Sequence, residues 1–224
     1  MINEHDGQRT LTHLEMLFYF IAGLCINATG NGLTVATNLG SAPWTAAAAN
    51  LSAATHLPID LFLFSFGFGA AILVILMVGK VQMSRFIKNM IFVFLFSVLV
   101  GFTTRIFIHL GVTEHIPYFV RLLLDFIGIS MIATGISITQ RLAVVLHPLD
   151  DWTNVMRFKY FHGNVVIAQT LNFAIPILIS LTVWLISGKL VAINIGTIFS
   201  FLCQGYIISQ ADQHIFPKLV HKTK

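Results

Sequence analysis

The sequence predicts an all-α polytopic membrane protein: six transmembrane helices arranged as a 3+3 inverted repeat, with Pro-containing interruptions after the first and fourth helices. Three observations lead there. The 224 residues are 56% hydrophobic and only 10% charged, against roughly 25% charged residues in an ordinary soluble domain. Apolar runs of about 20 residues, the length that spans the hydrocarbon core of a bilayer, recur along the chain. Segments of one half also reappear in the other at a nearly constant offset. Scarce charge together with 20 Phe excludes both a solvated globule and a disordered chain.

The first apolar segment covers 14–37. Ahead of it stand Glu4, Asp6 and Glu15 with Arg9 as the one Lys or Arg, whereas a signal peptide wants a basic start and a short apolar run, so a retained helix is expected. A small-residue stretch, 38–58, interrupts the hydrophobicity at Pro43, which cannot continue a helix; the Ala-rich 45–54 within it suits a short helix of its own. The second and third segments follow at 59–78 and 87–110, and the fourth at 118–138. A polar stretch, 139–164, holds Pro148, and the fifth and sixth segments are 165–186 and 190–209. The chain reads as one membrane domain, 1–224, with pseudo-repeats of about 14–111 and 118–210 and short polar termini.

Six crossings place ten of the 13 Lys and Arg on one side: Arg9, Lys80, Arg85, Lys88, Arg141, Arg157, Lys159, Lys218, Lys222 and Lys224. Only Arg105, Arg121 and Lys189 fall on the other. Basic loops face the cytoplasm, so both termini are expected there, in a bacterial plasma membrane.

The repeat is visible in Asn31-Gly-Leu-Thr to Ser41-Ala-Pro43-Trp44, which returns 105 residues later as Ile136-Ser-Ile-Thr to Leu146-His-Pro148-Leu149. Gly30 maps onto Gly135 and Pro43 onto Pro148, while Gly79-Lys80 maps onto Gly188-Lys189 at an offset of 109. Three crossings per unit is an odd number, so the units enter the membrane in opposite orientations, a plan that in secondary transporters puts the substrate site near interrupted helices.

The element Leu39-Gly40-Ser41-Ala42-Pro43-Trp44, following a helix that holds Gly23 and Gly30, resembles the LG-x-x-PW signature of the YczE/YyaS/YitT family of bacterial integral membrane proteins. Asn194-Ile195-Gly196-Thr197 is similar to that family's G-T element. The resemblance spans roughly 14–210. It departs at Val144-Val145-Leu146-His147-Pro148-Leu149-Asp150, where the family's second LG-x-x-P-x-D loop keeps Pro and Asp but loses Gly, and at Pro58-Ile59-Asp60. The resemblance implies a multi-pass inner-membrane protein and names no substrate or reaction.

Candidate site residues come from polar spacing inside the apolar segments. Asn27, Asn31, Thr34 and Asn38 recur at +4, +3 and +4 on one helical face. Lipid cannot satisfy amides, so the face should point inward. There it serves either as interhelical glue or as a polar lining for a solute. Ser130, Thr134, Ser137 and Arg141 repeat the spacing in the fourth helix, with Gly128 and Gly135 permitting close approach. Asp125, the acidic residue well inside an apolar run, is either neutralised by Arg121 four residues before it or takes part with Arg105 in charge coupling of a proton or cation. Pro43 and Trp44 would form a turn and an aromatic wall.

These features predict a small-solute permease or a substrate-binding membrane subunit, its site between the first and fourth helices and the two interruptions. The alternative is a non-transporting scaffold or accessory protein whose loops bind a partner. The expected partners are the lipid bilayer, a small solute and a partner subunit. Nucleic acid is not expected, because the net charge of +4 is explained by the cytoplasmic loops and no basic stripe occurs. Catalytic motifs are absent, so no enzyme activity and no cofactor are expected. Cys25 and Cys203 lie in apolar runs without CxxC or His clustering; His147, Asp150 and Asp151 are three ligands without a fourth, so no metal is expected.

Overall fold

The computed structural model describes residues 1–4, 7–57, 59–80, 82–112, 115–188 and 193–221. Pro58, Lys189, Lys222 and Lys224, used above for the family departures and the charge count, lie outside them. Among the described residues there are eight helices and one small hairpin. The hairpin pairs β1 (Ile2–Glu4) with β2 (Gly7–Arg9). Six helices are long: α1 (His13–Thr37), α3 (Ile59–Val78), α4 (Met83–His109), α5 (Tyr118–Leu142), α7 (Val165–Ser187) and α8 (Ile195–His214). Two are short, α2 (Pro43–Thr55) and α6 (Pro148–Lys159).

Local chemistry sets these ends. A capping box between Thr12 and Glu15 starts α1. Pro43 and Pro148 occupy the first positions of α2 and α6, where a missing N–H costs nothing. Asn38 and Ala143, related by the 105-residue offset, end α1 and α5 in the same left-handed conformation, both at φ 52°. Asn164 and Asn194 cap the starts of α7 and α8. Gly188 closes α7 at φ 70°, a conformation that glycine adopts without strain.

Among the described residues five helices are long and apolar enough to cross a membrane: α1, α3 over Leu61–Val78, α4, α5 and α7. The sixth expected segment corresponds to α8, whose Gln204, Gln210, Asp212 and Gln213 dilute its hydropathy. Large apolar side chains face outward along the five, such as Phe64, Leu76, Phe94, Phe102, Leu178 and Leu185, as suits lipid rather than water. The protein is a helical, multi-pass membrane protein. Several boundaries differ from the sequence reading: α4 starts at Met83 rather than at 87, and α8 runs Ile195–His214 rather than 190–209. Helix α5 continues four residues past 138, and the polar stretch contains α6, an amphipathic helix that hides Trp152, Thr153 and Arg157.

At the centre α1 packs on α5, flanked by α4 on α1 and α8 on α5; α2 lies on α7, and α3 on α6. The central crossing is set by glycine. A Cβ on Gly30 would stand 2.5 Å from the Gly128 carbonyl, and one on Gly135 2.6 Å from the Asn27 amide. Thr34 touches Gly128 as Thr139 touches Gly23, each at 2.8 Å from the Cβ position; the 105-residue offset exchanges these two contacts. The chain ends meet, with the Val220 amide donating to the Met1 carbonyl and Ile2 bridging Leu219.

Candidate functional site

The two interruptions converge on α7. Trp44 follows Pro43 at the start of α2, and its indole Nε1 donates to Asn172 Oδ1 at 2.7 Å. Through Nδ2 the same amide donates to the Leu149 carbonyl at 3.2 Å and to Thr153 Oγ1, both on α6. The Trp44 and Trp152 rings meet edge-on with centroids 6.3 Å apart, and Phe66 of α3 lies 5.0 Å from Trp44. Pro176 has no N–H, so the Asn172 backbone carbonyl loses its helical donor. One residue of α7 therefore ties both interruptions and carries spare acceptor capacity.

Further polar side chains lie buried along α7 and α8, all but Thr197 outside the candidates that the sequence offers. Gln169, Asn172 and Ser180 on α7, with Thr197, Ser200 and Gln204 on α8, are all buried. Gln204 Oε1 accepts from Ser200 Oγ at 2.5 Å. Among the described residues Gln169 Oε1, Ser180 Oγ and Gln204 Nε2 have no hydrogen-bond partner. Gly205 approaches Val166 and Gln169 so closely that a Cβ would lie 3.0 and 3.3 Å from them, which puts Gln169 in the α7–α8 seam. A signal existed: Thr197, Ser200 and Gln204 have the same three- and four-residue spacing that drew notice in the first helix.

The first-helix face is placed differently from its expected role. Asn27 and Thr34 are buried, Asn31 is half-buried and Asn38 is exposed. The Asn31 amide donates to both the side-chain and backbone oxygens of Asn27, at 2.9 and 3.0 Å, and Thr34 Oγ1 donates to the Asn31 carbonyl. Much of this hydrogen bonding is consumed within α1 itself. In α5, Ser130 and Thr134 bond their own helix and line an open groove of about 360 Å³ with Ile26 of α1, while Ser137 and Arg141 turn toward α8.

Asp125 and Arg105 are not brought together. Arg105 is exposed near the end of α4, and no ion pair of Asp125 with Arg105 or Arg121 occurs among the described residues. Asp125 is 0% exposed and takes the Thr37 hydroxyl on Oδ1 at 2.8 Å. It lies under a seam between the α1–α2 turn and the start of α8. There the Gly196 amide donates to the Leu39 carbonyl at 2.9 Å, and Thr197 Oγ1 donates to the Ser41 carbonyl at 2.9 Å. Gly40, at φ 122°, passes so close that a Cβ would be 2.7 Å from the Thr197 amide. The Leu-Gly and Gly-Thr elements of the sequence are thus two sides of one contact.

The end that holds both termini is charged. Arg141, 1% exposed, donates to the carbonyls of Asp212, Ile215, Phe216 and Leu219, capping α8 with a side chain. Asp212 takes Arg157 at 2.7 Å and Ser137 at 2.6 Å. Asp151 takes Arg85 through both oxygens, at 2.7 and 2.5 Å, and Asn89 at 2.9 Å. His147 accepts from the Leu149 amide through Nδ1. Burial holds the His147 imidazole down to about 4; burial, then the nearby Asp151, pushes the Asp150 carboxyl up to about 7. Burial likewise lowers His221. No group of three or more His, Cys, Asp or Glu placed to hold a metal occurs among the described residues.

No curated protein and no solved structure matches this chain. Residues 14–213, most of its length, match the family of unknown function DUF6198, and the chain belongs to that family.

Proposed function

We propose that the protein is a permease for a small polar solute, or the solute-binding membrane subunit of one, with its site where α2, α6, α7 and α8 meet. The observation that carries this is the buried polar character of α7 and α8: Asn172 links Trp44 to Leu149 and Thr153, and Gln169 Oε1, Ser180 Oγ and Gln204 Nε2, buried along these two helices, have no partner among the described residues. An unmade hydrogen bond on a buried polar group costs about 1–3 kcal/mol, so such atoms persist where something else bonds them. Trp44 keeps its expected part as an aromatic wall. The polar face of α1 hydrogen-bonds within its own helix and meets α5 by packing, Thr34 on Gly128 and Asn27 on Gly135.

In this reading α8 is a sixth crossing and the chain is a 3+3 inverted repeat. Support comes from the helix pairings. Under the exchange of α1–α4 with α5–α8, the packing of α2 on α7 becomes that of α6 on α3, and α4 on α1 becomes α8 on α5; all four are present. The meeting of the termini at the basic end supports a cytoplasmic location for both, in a bacterial plasma membrane. Its likeness to the YczE/YyaS/YitT proteins belongs with this proposal, and no catalytic role is assigned.

The test pairs stability with binding. Purified protein is screened by thermal unfolding against ions, vitamins, amino acids, sugars and peptides; a ligand at ~100 times its dissociation constant adds about 2.7 kcal/mol. Gln204→Leu and Gln169→Met should leave the fold intact and abolish the ligand shift and uptake. Variants that keep full uptake would remove the site from this junction. A scaffold binding a partner is favoured by the α1–α5 crossing, where glycine leaves no space between backbones; cross-linking to a partner chain, with no ligand shift across the panel, would establish it instead.

A further inference from the structure

The Asp125 carboxyl has one satisfied and one unsatisfied oxygen. Thr37 Oγ1 donates to Oδ1, whereas Oδ2 has no partner among the described residues. Oδ2 rests on the first turn of α8, 2.0 Å from where a Cβ on Gly196 would stand. The Leu39 carbonyl borders that same point at 3.1 Å and already accepts from the Gly196 amide. A carboxylate sealed away with a bare oxygen and no cation is costly, and neutralises in preference to staying charged.

We infer that Asp125 is a proton-binding site. Its carboxyl group is protonated while the start of α8 is seated on the 39–41 turn. It gives the proton to water when α8 lifts and water enters: the Oδ2–H bond breaks, the electron pair stays on the carboxylate, and the proton leaves as hydronium. Reseating reverses the step. A metal ion does not suit the place. It would need about six oxygens at 2.0–2.6 Å, but Leu39 and Ser41 spend their carbonyls on Gly196 and Thr197, and Oδ2 is pressed against the Gly196 backbone.

The packed elements bring little charge to the site. Helix α1 contributes the Thr37 hydroxyl, and α8 contributes Gly196 and Thr197. Within α5, Arg121 stands one turn earlier, half-buried and with its Nε unpartnered. Arg105 and His109 of α4 are exposed. Arg141 lies 16 residues further along α5, about 24 Å at 1.5 Å per residue, and Asp212 is beside it at the far end of α8.

Coupling of this proton to solute movement rests on the permease reading; the protonation itself does not. The full chain in liposomes is titrated by infrared difference spectroscopy from mildly acid to mildly alkaline pH, wild type against Asp125→Asn. A carboxylic-acid C=O band present at mildly acid pH, lost on raising the pH and missing in Asp125→Asn, is expected. The isosteric, neutral Asn should keep the melting temperature of the protonated wild type. Absence of any Asp125-dependent acid band, or a large loss of stability in Asp125→Asn at acid pH, overturns the inference. A clear band together with no ligand shift for any solute would sink the permease reading and leave the proton site standing.

Discussion

Adding one methyl group at the α1–α5 crossing is the sharpest perturbation this fold offers. In Gly30→Ala the new Cβ stands 2.5 Å from the Gly128 carbonyl oxygen and 2.8 Å from the Ile132 amide nitrogen. Ordinary contact begins at 3.4 Å, so the helices must open by about 0.9 Å, and both obstructing atoms are backbone that cannot rotate aside. A gap of that size forfeits a quarter to a half of the dispersion energy of each contact it stretches. Overpacking of this kind costs about 1–3 kcal/mol, and the upper end applies where nothing nearby is flexible. Opposing it is the gain of about 1 kcal/mol from replacing Gly by Ala in a helix. Gly101→Ala isolates that gain, because a Cβ there meets nothing within 4 Å.

The offset partner makes the test stricter. Gly135→Ala puts a Cβ 2.6 Å from the Asn27 amide and from the Gly23 carbonyl, so it should cost about as much as Gly30→Ala. Once one methyl has opened the crossing the second is partly accommodated, and the double variant should lose clearly less than the sum of the singles. Thermal unfolding in detergent, with Gly101→Ala as reference, reads all four. Gly30→Ala melting at or above Gly101→Ala, or strictly additive losses, would refute the account of a glycine-set crossing.

Two further outcomes follow from the charged end. Arg141→Ala strips donors from four carbonyls and leaves Asp212 short of a partner, so a loss of about 3–5 kcal/mol is expected; Arg141→Lys, a point charge without the guanidinium fork, should recover only part of it, and full recovery in a melting assay would mean that charge alone matters. The other concerns pH. The raised Asp150 pKa stabilises the folded state below its unfolded value of 3.8, and that contribution is lost as pH rises through about 7. The depressed His147 pKa acts oppositely: its contribution is present above 6.5 and lost as pH falls through about 4. Asp150→Asn should therefore melt higher than wild type at mildly alkaline pH and lose that advantage toward pH 4; a difference that stays constant with pH would contradict it.

Much of the scaffold is written in the apolar runs, because a bilayer constrains length and backbone satisfaction more tightly than water does. The segment read as 14–37 forms His13–Thr37, and the Ala-rich 45–54 lies within Pro43–Thr55. Thr139, Gln140 and Arg141 look like the start of a loop, yet all are buried in the last turn of α5, since Arg141 serves the carbonyls at the end of α8, 71 to 78 residues away. Helical spacing correctly put Asn27 and Asn31 on one face but could not say that they would bond each other. The sequence offers Arg121 and Arg105 as partners for Asp125; its partner in the fold is the Thr37 hydroxyl, 88 residues distant. Periodicity fixes direction around a helix, whereas partner choice is a property of packing between helices.

Positions related by the 105- and 109-residue offsets carry different chemistry in the two halves. Gly32 in α1 receives Thr103 of α4, the Cβ position only 2.2 Å from Oγ1, and Thr103 donates to the Ala28 carbonyl. The matching positions, Ser137 in α5 and Asp212 in α8, form a 2.6 Å hydrogen bond that also engages Arg157. Ala36 corresponds to Arg141, and Phe20 to Asp125. The bundle thus carries a charged seam at the end with the termini and a neutral seam, Leu39 to Gly196 and Ser41 to Thr197, at the other. Opening the charged seam separates Asp212 from two guanidiniums and uncaps α8. Opening the neutral seam breaks hydrogen bonds that water replaces at little net cost and uncovers Asp125. Under the permease reading proposed above, the neutral end is therefore the one that opens with less work, and the carboxyl beneath it is placed to register that opening.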